Sequence, residues 1–208
     1  MSTIRQGNSI LKENYSGFKF EVGCDEAGRG CLAGPVVAAA VIISNNFDHP
    51  FLNDSKQLSH KEREEVRVFI EQNAIDYAVA FVDRETIDKI NILNASILCM
   101  HRALDMLKIR PEFIIVDGNR FKPYGEVKYK TIVKGDAQFK SIAAASILAK
   151  TARDRFMDKI ALEYPEYLWN KNKGYPTVKH REAIKQYGIT KYHRRSFKLL
   201  DNQLKIEF

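Results

Sequence analysis

Cysteine is scarce in these 208 residues: Cys24, Cys31 and Cys99 are the only three, an odd number with no Cys-x-x-Cys pair. That excludes a disulfide framework and a cysteine zinc site, and reduced thiols are expected. No apolar run approaches the length that crosses a bilayer, and the opening Met-Ser-Thr-Ile-Arg-Gln-Gly lacks the apolar centre of a signal peptide. A cytoplasmic protein without membrane contact is therefore expected. Internal repeats, low-complexity tracts and long linkers are also missing. Neither Gly-Lys-Ser nor Gly-Lys-Thr occurs, so the glycines described below are not those of a nucleotide-binding phosphate loop.

What is present is the composition of an ordinary globular chain, 45% hydrophobic and 28% charged, long enough for one substantial core. The excess of 33 Lys and Arg over 26 Asp and Glu gives a net charge of +7 and points to a polyanionic partner. Its distribution says more than its total. From Leu168 to Lys198 there are nine basic residues against the single acid Glu182, with Tyr175, Tyr187, Tyr192 and Phe197 interleaved. A phosphate-facing surface is expected there, a solvated face being the plainer reading.

The chain is organised around Phe18 to Pro35. Phe18, Phe20, Val22 and Cys24 alternate with Lys19, Glu21, Gly23 and Asp25, the period of a strand with Asp25 opposite the core. Asp25 and Glu26 then sit where the strand stops, and Gly28, Arg29 and Gly30 follow, a backbone able to turn sharply and let a phosphate or sugar approach. By itself this corner fits a solvated polar turn as well as a hard-cation site of carboxylates completed by substrate phosphate.

Residues 1–17 read as a lead-in with a helical turn over Ser9 to Tyr15, residues 18–160 as the main domain, and 161–208 as a basic helical extension. Val36 to Ile43 is a continuous apolar strand, and Ser59 with Glu62 has the spacing of a capping box opening a helix that turns Val66, Phe69 and Ile70 to one side. Ile75, Tyr77, Val79 and Phe81 alternate as a third strand. Asp83 to Lys108 reads as helix, with Leu93, Ile97, Met100, Leu104 and Leu107 as its core stripe and Pro111 beyond its end. Phe113 to Val116 and Val127 to Val133 are two more strands, each followed by an acid beside glycine, Asp117-Gly118 and Gly135-Asp136. Ser141 to Ile160 is an Ala-rich helix with Ser146, Lys150 and Arg153 on one stripe, Lys150 and Arg153 being placed to neutralise phosphate; Asp154 is expected to pair with Arg153 or Arg155, or to stand just behind the acids.

This order implies an α/β fold, its early strands antiparallel and its later ones reached by helical crossovers, with ligands beyond the strand ends. Asp25, Glu26, Asp117 and Asp136 all hold such positions.

Seven segments together resemble bacterial ribonuclease HII, the type 2 ribonuclease H family. They are Val22 to Gly30, Asn53-Asp54-Ser55-Lys56, Val116-Asp117-Gly118-Asn119, Lys134-Gly135-Asp136, Ala144 to Lys150, Lys173 to Thr177 and His193-Arg194-Arg195-Ser196-Phe197. The resemblance implies an RNase H-like mixed sheet flanked by helices, with a C-terminal helical extension. It implies hydrolysis of RNA in RNA/DNA hybrids and cutting 5′ of single ribonucleotides in duplex DNA, leaving 5′-phosphate and 3′-hydroxyl ends, with Mn2+ or Mg2+ held by Asp25, Glu26, Asp117 and Asp136. It further implies substrate contacts from Gly28, Arg29, Gly30, Asn53, Ser55, Lys56, Asn119, Ser146, Lys150, Tyr175, Arg194 and Arg195. Gly28 to Gly30 would meet the ribose 2′-hydroxyl, the group that tells RNA from DNA, and Tyr175 would stack on the neighbouring sugar.

Ribonuclease HIII resembles the same segments but carries an added N-terminal domain; with fewer than 25 residues ahead of Asp25, and Tyr175 present, HII is the expectation. A catalytically silent nucleic-acid binder would gain nothing from carboxylates placed where phosphate must come. Gln203 to Phe208, Gln-Leu-Lys-Ile-Glu-Phe, resembles the short peptides with which bacterial replication proteins dock on the sliding clamp, a further partner, although a terminal strand or frayed tail is the plainer reading. Nothing calls for more than a monomer.

Overall fold

The computed structural model describes residues 11–52 and 58–200, so Asn53, Ser55, Lys56 and the Gln203 to Phe208 tail lie outside the described residues. In chain order the strands are β1 (Glu21–Ala27), β2 (Val36–Ile42), β3 (Asp76–Val82), β4 (Phe113–Asp117) and β5 (Lys128–Ile132). The helices are α1 (His60–Asn73), α2 (Arg84–Ile90), α3 (Ile92–Asp105), α4 (Lys140–Ala161), α5 (Trp169–Asn172) and α6 (Val178–Tyr187). The strands form one mixed sheet in the order β3-β2-β1-β4-β5, antiparallel from β1 to β3 and parallel from β1 through β4 to β5.

Both faces of the sheet are covered. Val22, Cys24, Ala38, Ala40, Ile114 and Val116 pack against Ala95, Cys99, Met100 and Ala103 of α3. On the other face Ala39 and Val41 meet Val66 and Ile70 of α1 and the alanines of α4. Small residues set the spacing: a Cβ at Gly23 would lie 2.4 Å from the backbone carbon of Ser141, so β1 and α4 approach backbone to backbone. A third cluster fastens the C-terminal elements to the loop after β1, with Leu32 and Ala33 against Met157, Ile160, Tyr167, Trp169 and Ile184.

The capping box at α1 is complete, Ser59 accepting from the Glu62 amide and Glu62 from that of Ser59. Several expectations are corrected. Residues 11–15 contain no helical turn; Lys12 instead bridges to Phe139, and the buried Glu21 carboxylate accepts from the amides of Tyr15 and Ser16. The first strand starts at Glu21, not Phe18, and runs through both acids, because Asp25, Glu26 and Ala27 are still paired with Ala39, Ala38 and Val37. In β3 the buried side is Ala78, Ala80 and Val82, while Tyr77 and Phe81 face outward on this edge strand. The expected helix over 83–108 is two, broken at Asn91, whose left-handed φ of 63° turns the chain while its side chain caps α3. The longer of the two ends at Asp105, well before Pro111. The connection from β4 to β5 is the loop 118–127, not a helical crossover.

Candidate functional site

Asp25 and Glu26 lie near the end of β1, the central strand, just before Ala27, and Asp117 ends its parallel neighbour β4. Because Cys24 pairs with Val116, the next residues, Asp25 and Asp117, come out side by side at the same sheet edge. Asp117 Oδ1 accepts from the Gly135 amide at 2.7 Å, which ties the turn carrying the buried Asp136 to the same corner. The close approach permitted by Gly23 brings α4 over β1, so that the Ser146 hydroxyl reaches Asp25.

These carboxylates raise one another's proton affinity. The Asp25 carboxyl is pushed well above the ordinary range, first by burial and then by the charges of Glu26 and Asp117, against which the Ser146 hydroxyl and the Glu26 amide, 2.7 Å from Asp25 Oδ1, act weakly. Glu26 is also raised by burial, offset by Arg29, whose Nη1 lies 3.1 Å from Glu26 Oε1. As they stand, no three His, Cys, Asp or Glu side chains among the described residues form a group able to hold a metal ion. The donor set is nonetheless that of a hard cation: carboxylate oxygens in mutual repulsion, desolvated, with no sulfur or imidazole among them.

Beside the acids opens a cleft of about 270 Å³, lined by Glu26 to Gly30, Ser146, Lys150, Arg153, Asp154 and Tyr175. Gly28 has φ +94°, and a Cβ there would fall 2.0 Å from Arg153 Nε, whereas Gly30 faces open space. Arg153 is buried and cannot swing aside without leaving the carbonyls of Pro35, Ala33 and Lys173. Gly28→Ala is therefore expected to cost at least about 2 kcal/mol in urea unfolding, from a disfavoured φ and disturbed hydrogen bonds; a loss under about 0.5 kcal/mol, the range of ordinary surface changes, would show that Arg153 yields freely.

The structure reassigns three expected charges. Arg153 lines the cleft but spends its guanidinium on carbonyls, and Arg194 is fully buried and donates to the carbonyls of Gly34, Arg29 and Pro35, each at 3.0 Å. Asp154 pairs with Lys150 at 3.3 Å and with Arg63 of α1 at 3.7 Å, not with Arg153 or Arg155. The basic C-terminal run is likewise partly spent on partners within the chain, since Lys173 pairs with Asp158, Lys191 with Glu163 at the surface, and Arg181 donates to the carbonyls of Lys198 and Leu199. Lys171, Lys179, Lys185 and Arg195 are exposed, as is Asn119 just past Asp117.

Tyr175 projects half-exposed over the cleft from the loop between α5 and α6. Its loop rests on a buried group that charge counting missed: Trp169, His180 and His193, all 0% exposed. Burial holds both imidazoles neutral, His180 lowered and His193 pushed down to about 3 with His180 as a further cause. The unfolded chain takes up these protons near pH 6.5, so this corner loses stability as pH falls from there towards 3, which urea midpoints measured across that interval would register. The one sequence signal for His180 was its place three residues after the helix-capping Thr177, whose Oγ1 accepts its amide.

Known proteins converge on the same description. The family model for ribonuclease HII matches residues 22–200. The ribonuclease HII of Christiangramia forsetii is 62% identical over 94% of this chain and 99% of that protein. Among solved structures, the ribonuclease HII in the PCNA:RNase HII complex from Archaeoglobus fulgidus shares 27% identity and a TM-score of 0.73 over 88% of this chain and 95% of that one. Bst-RNase HIII, solved in complex with Mn2+, has the same fold at 19% identity and a TM-score of 0.65, over 86% of this chain and 67% of that one. On the model match and the identity to its relatives, this chain belongs to the ribonuclease HII family and is an RNase H endonuclease.

Proposed function

We propose that this endonuclease hydrolyses RNA in RNA/DNA hybrids and cuts 5′ of single ribonucleotides in duplex DNA, leaving 5′-phosphate and 3′-hydroxyl ends, in the removal of ribonucleotides from DNA. The observation that carries the reading is the mutually repelling set of the buried Asp25 with the partly buried Glu26 and Asp117, of which Glu26 lines a cleft walled by Gly28 to Gly30 and Tyr175. Mn2+ or Mg2+ would be held by Asp25, Glu26, Asp117 and Asp136 and would supply charge neutralisation and an activated water; Bst-RNase HIII, of the same fold, was solved with Mn2+.

The chain's own groups do the rest. Open space at Gly30 and the left-handed turn at Gly28 let a ribose come close to the backbone, where a 2′-hydroxyl offers both donor and acceptor. Tyr175 presents a ring for stacking on the sugar next to the junction. Lys150 supplies positive charge to the phosphate, held in place by Asp154. Arg29, half-exposed and paired with Glu26, would exchange that carboxylate for a substrate phosphate, leaving Glu26 able to hold the metal. Asn119 and Arg195, exposed beyond the cleft, contact the flanking backbone, as would Asn53, Ser55 and Lys56.

An end-labelled duplex with one ribonucleotide, set beside an all-DNA duplex and an RNA/DNA hybrid, tests this. A cut mapped immediately 5′ of the ribonucleotide and none in DNA is expected; binding of all three without cutting would instead make the chain a silent binder. The clamp is a second partner, in line with the archaeal relative solved with PCNA. Deleting residues 203–208 is expected to abolish capture by a bacterial sliding clamp, and undiminished capture would remove the tail from that role.

A further inference from the structure

The four ring nitrogens of His180 and His193 can be satisfied in one proton arrangement only. Trp169 Nε1–H is a donor and lies 3.0 Å from His180 Nε2, which must accept. The Thr190 amide is a donor 2.9 Å from His193 Nδ1, which must also accept, and the Thr190 hydroxyl, itself accepting from the Tyr192 amide, is placed to donate to the same nitrogen at 3.0 Å. The proton of His193 is thereby confined to Nε2, 3.3 Å from the already accepting His180 Nε2, and that of His180 to Nδ1, 2.9 Å from the Tyr175 carbonyl oxygen. A buried polar chain with every group in one state is rigid, and a group left over would be costly.

Each end of this chain grips one wall of the cleft. At the His180 end, the Tyr175 carbonyl takes the His180 proton and the Thr177 amide together, while the Tyr175 amide donates to the Asn172 carbonyl. At the His193 end, His193 bridges to Ala33, and the next residue donates its amide to the Leu32 carbonyl while its guanidinium reaches the Arg29 carbonyl. Leu32 in turn donates its amide to Gly174, closing the circuit between the two walls.

We propose that His180 and His193, with Trp169, are positioning residues that fix the Tyr175 ring relative to the Gly28 to Gly30 turn, and so set the sugar-reading geometry of the cleft. This deepens the proposed function and rests on it. A second proton on His180 would set N–H against the N–H of Trp169 and His193, and one on His193 would do the same against Thr190. The other titratable or charged groups near the pair are Tyr167, whose ring centroid is 5.0 Å from that of His193, and Arg181, which opposes protonation of His180. None of these is an anion that would favour a charged imidazole.

Two measurements on the full chain test this. In nitrogen-15 imidazole spectra at neutral pH, His180 is expected as the neutral Nδ1–H form and His193 as the neutral Nε2–H form; the opposite tautomer or a charged ring at either position overturns the arrangement, and this arm stands even where a variant fails to fold. In a double-mutant cycle on the single-ribonucleotide duplex, His180→Phe is expected to lower kcat/KM about tenfold or more with Tyr175 present, since small misplacements of a positioning group are costly. The same change in a Tyr175→Ala background is expected to cost less than about twofold, the signature of a shared function. His180→Asn, which keeps an N–H near the Nδ1 position, is expected to recover most of the activity. Equal losses in both backgrounds, or no loss in either, overturn the proposal. A wild-type protein that does not cut the ribonucleotide duplex contradicts the proposed function itself, while the tautomer spectra still decide the geometry.

Discussion

Asp25→Asn, or Asp117→Asn, is expected to lower cleavage of a ribonucleotide-containing duplex by more than about a thousandfold, the kinetic equivalent of losing several kcal/mol of metal-borne charge stabilisation. The same Asp25 change is expected to leave the protein at least as stable. Burial and the Glu26 and Asp117 charges hold the folded Asp25 carboxyl well above its ordinary range, so the folded state binds a proton that the unfolded chain has already released. Stability therefore falls as pH rises through that interval, because burying the Asp25 charge beside Glu26 and Asp117 works against the fold. An amide keeps the shape and removes the charge, and Tm is expected to rise by about 2–4 °C, the shift that ~1 kcal/mol brings in a chain of this size. Thermal unfolding and single-turnover cleavage on the same preparation separate the two effects. Wild-type-like cleavage by either variant would sink the assignment of these acids.

Arg194→Ala has the largest expected effect on stability. The guanidinium lies wholly inside the protein and donates to three carbonyls of the 29–35 segment, with Phe197 against its plane at 5.1 Å. Removing it leaves those carbonyls buried without that donor and opens a hole where a long side chain stood. At about 1.5–3 kcal/mol for a hydrogen bond to a charged group, a total near 4 kcal/mol is expected once the site has partly relaxed. That corresponds to a Tm lowered by roughly 8–16 °C. If Arg194 instead faced substrate, the variant would keep its Tm and lose only salt-sensitive binding. Differential scanning calorimetry beside a salt titration of duplex binding distinguishes the two.

How far the molecule could be read in advance depended on whether a residue's pattern reports its surroundings. Val36 to Ile42 is apolar at every position because both faces of β2 are covered, and it was legible for that reason. The Ser59 and Glu62 capping box is local chemistry and was equally plain. The acids were legible as glycine-flanked strand ends, and the sheet does bring Asp25 and Asp117 to neighbouring positions. Arg194 and Arg153 were not, because a guanidinium on carbonyls and one on a phosphate leave the same mark in a charge count. The buried side of β3 was hidden for a different reason: an edge strand can turn small residues inward and leave Phe81 outside. Nor does any periodicity announce His180, whose meaning lies in Trp169 and His193, partners 11 and 13 residues away.

Carboxylates from β1, β4 and the turn before α4 are proposed to form a cation site completed by the substrate's phosphate. Mn2+ binding followed by electron paramagnetic resonance tests it most directly, for the wild type and for a variant carrying both Asp25→Asn and Asp117→Asn, with and without a duplex whose scissile phosphate resists hydrolysis. Weak binding by the wild type alone, strengthened by the duplex and absent from the double variant, is the predicted result. Mn2+ affinity that is the same in the double variant as in the wild type would contradict the account.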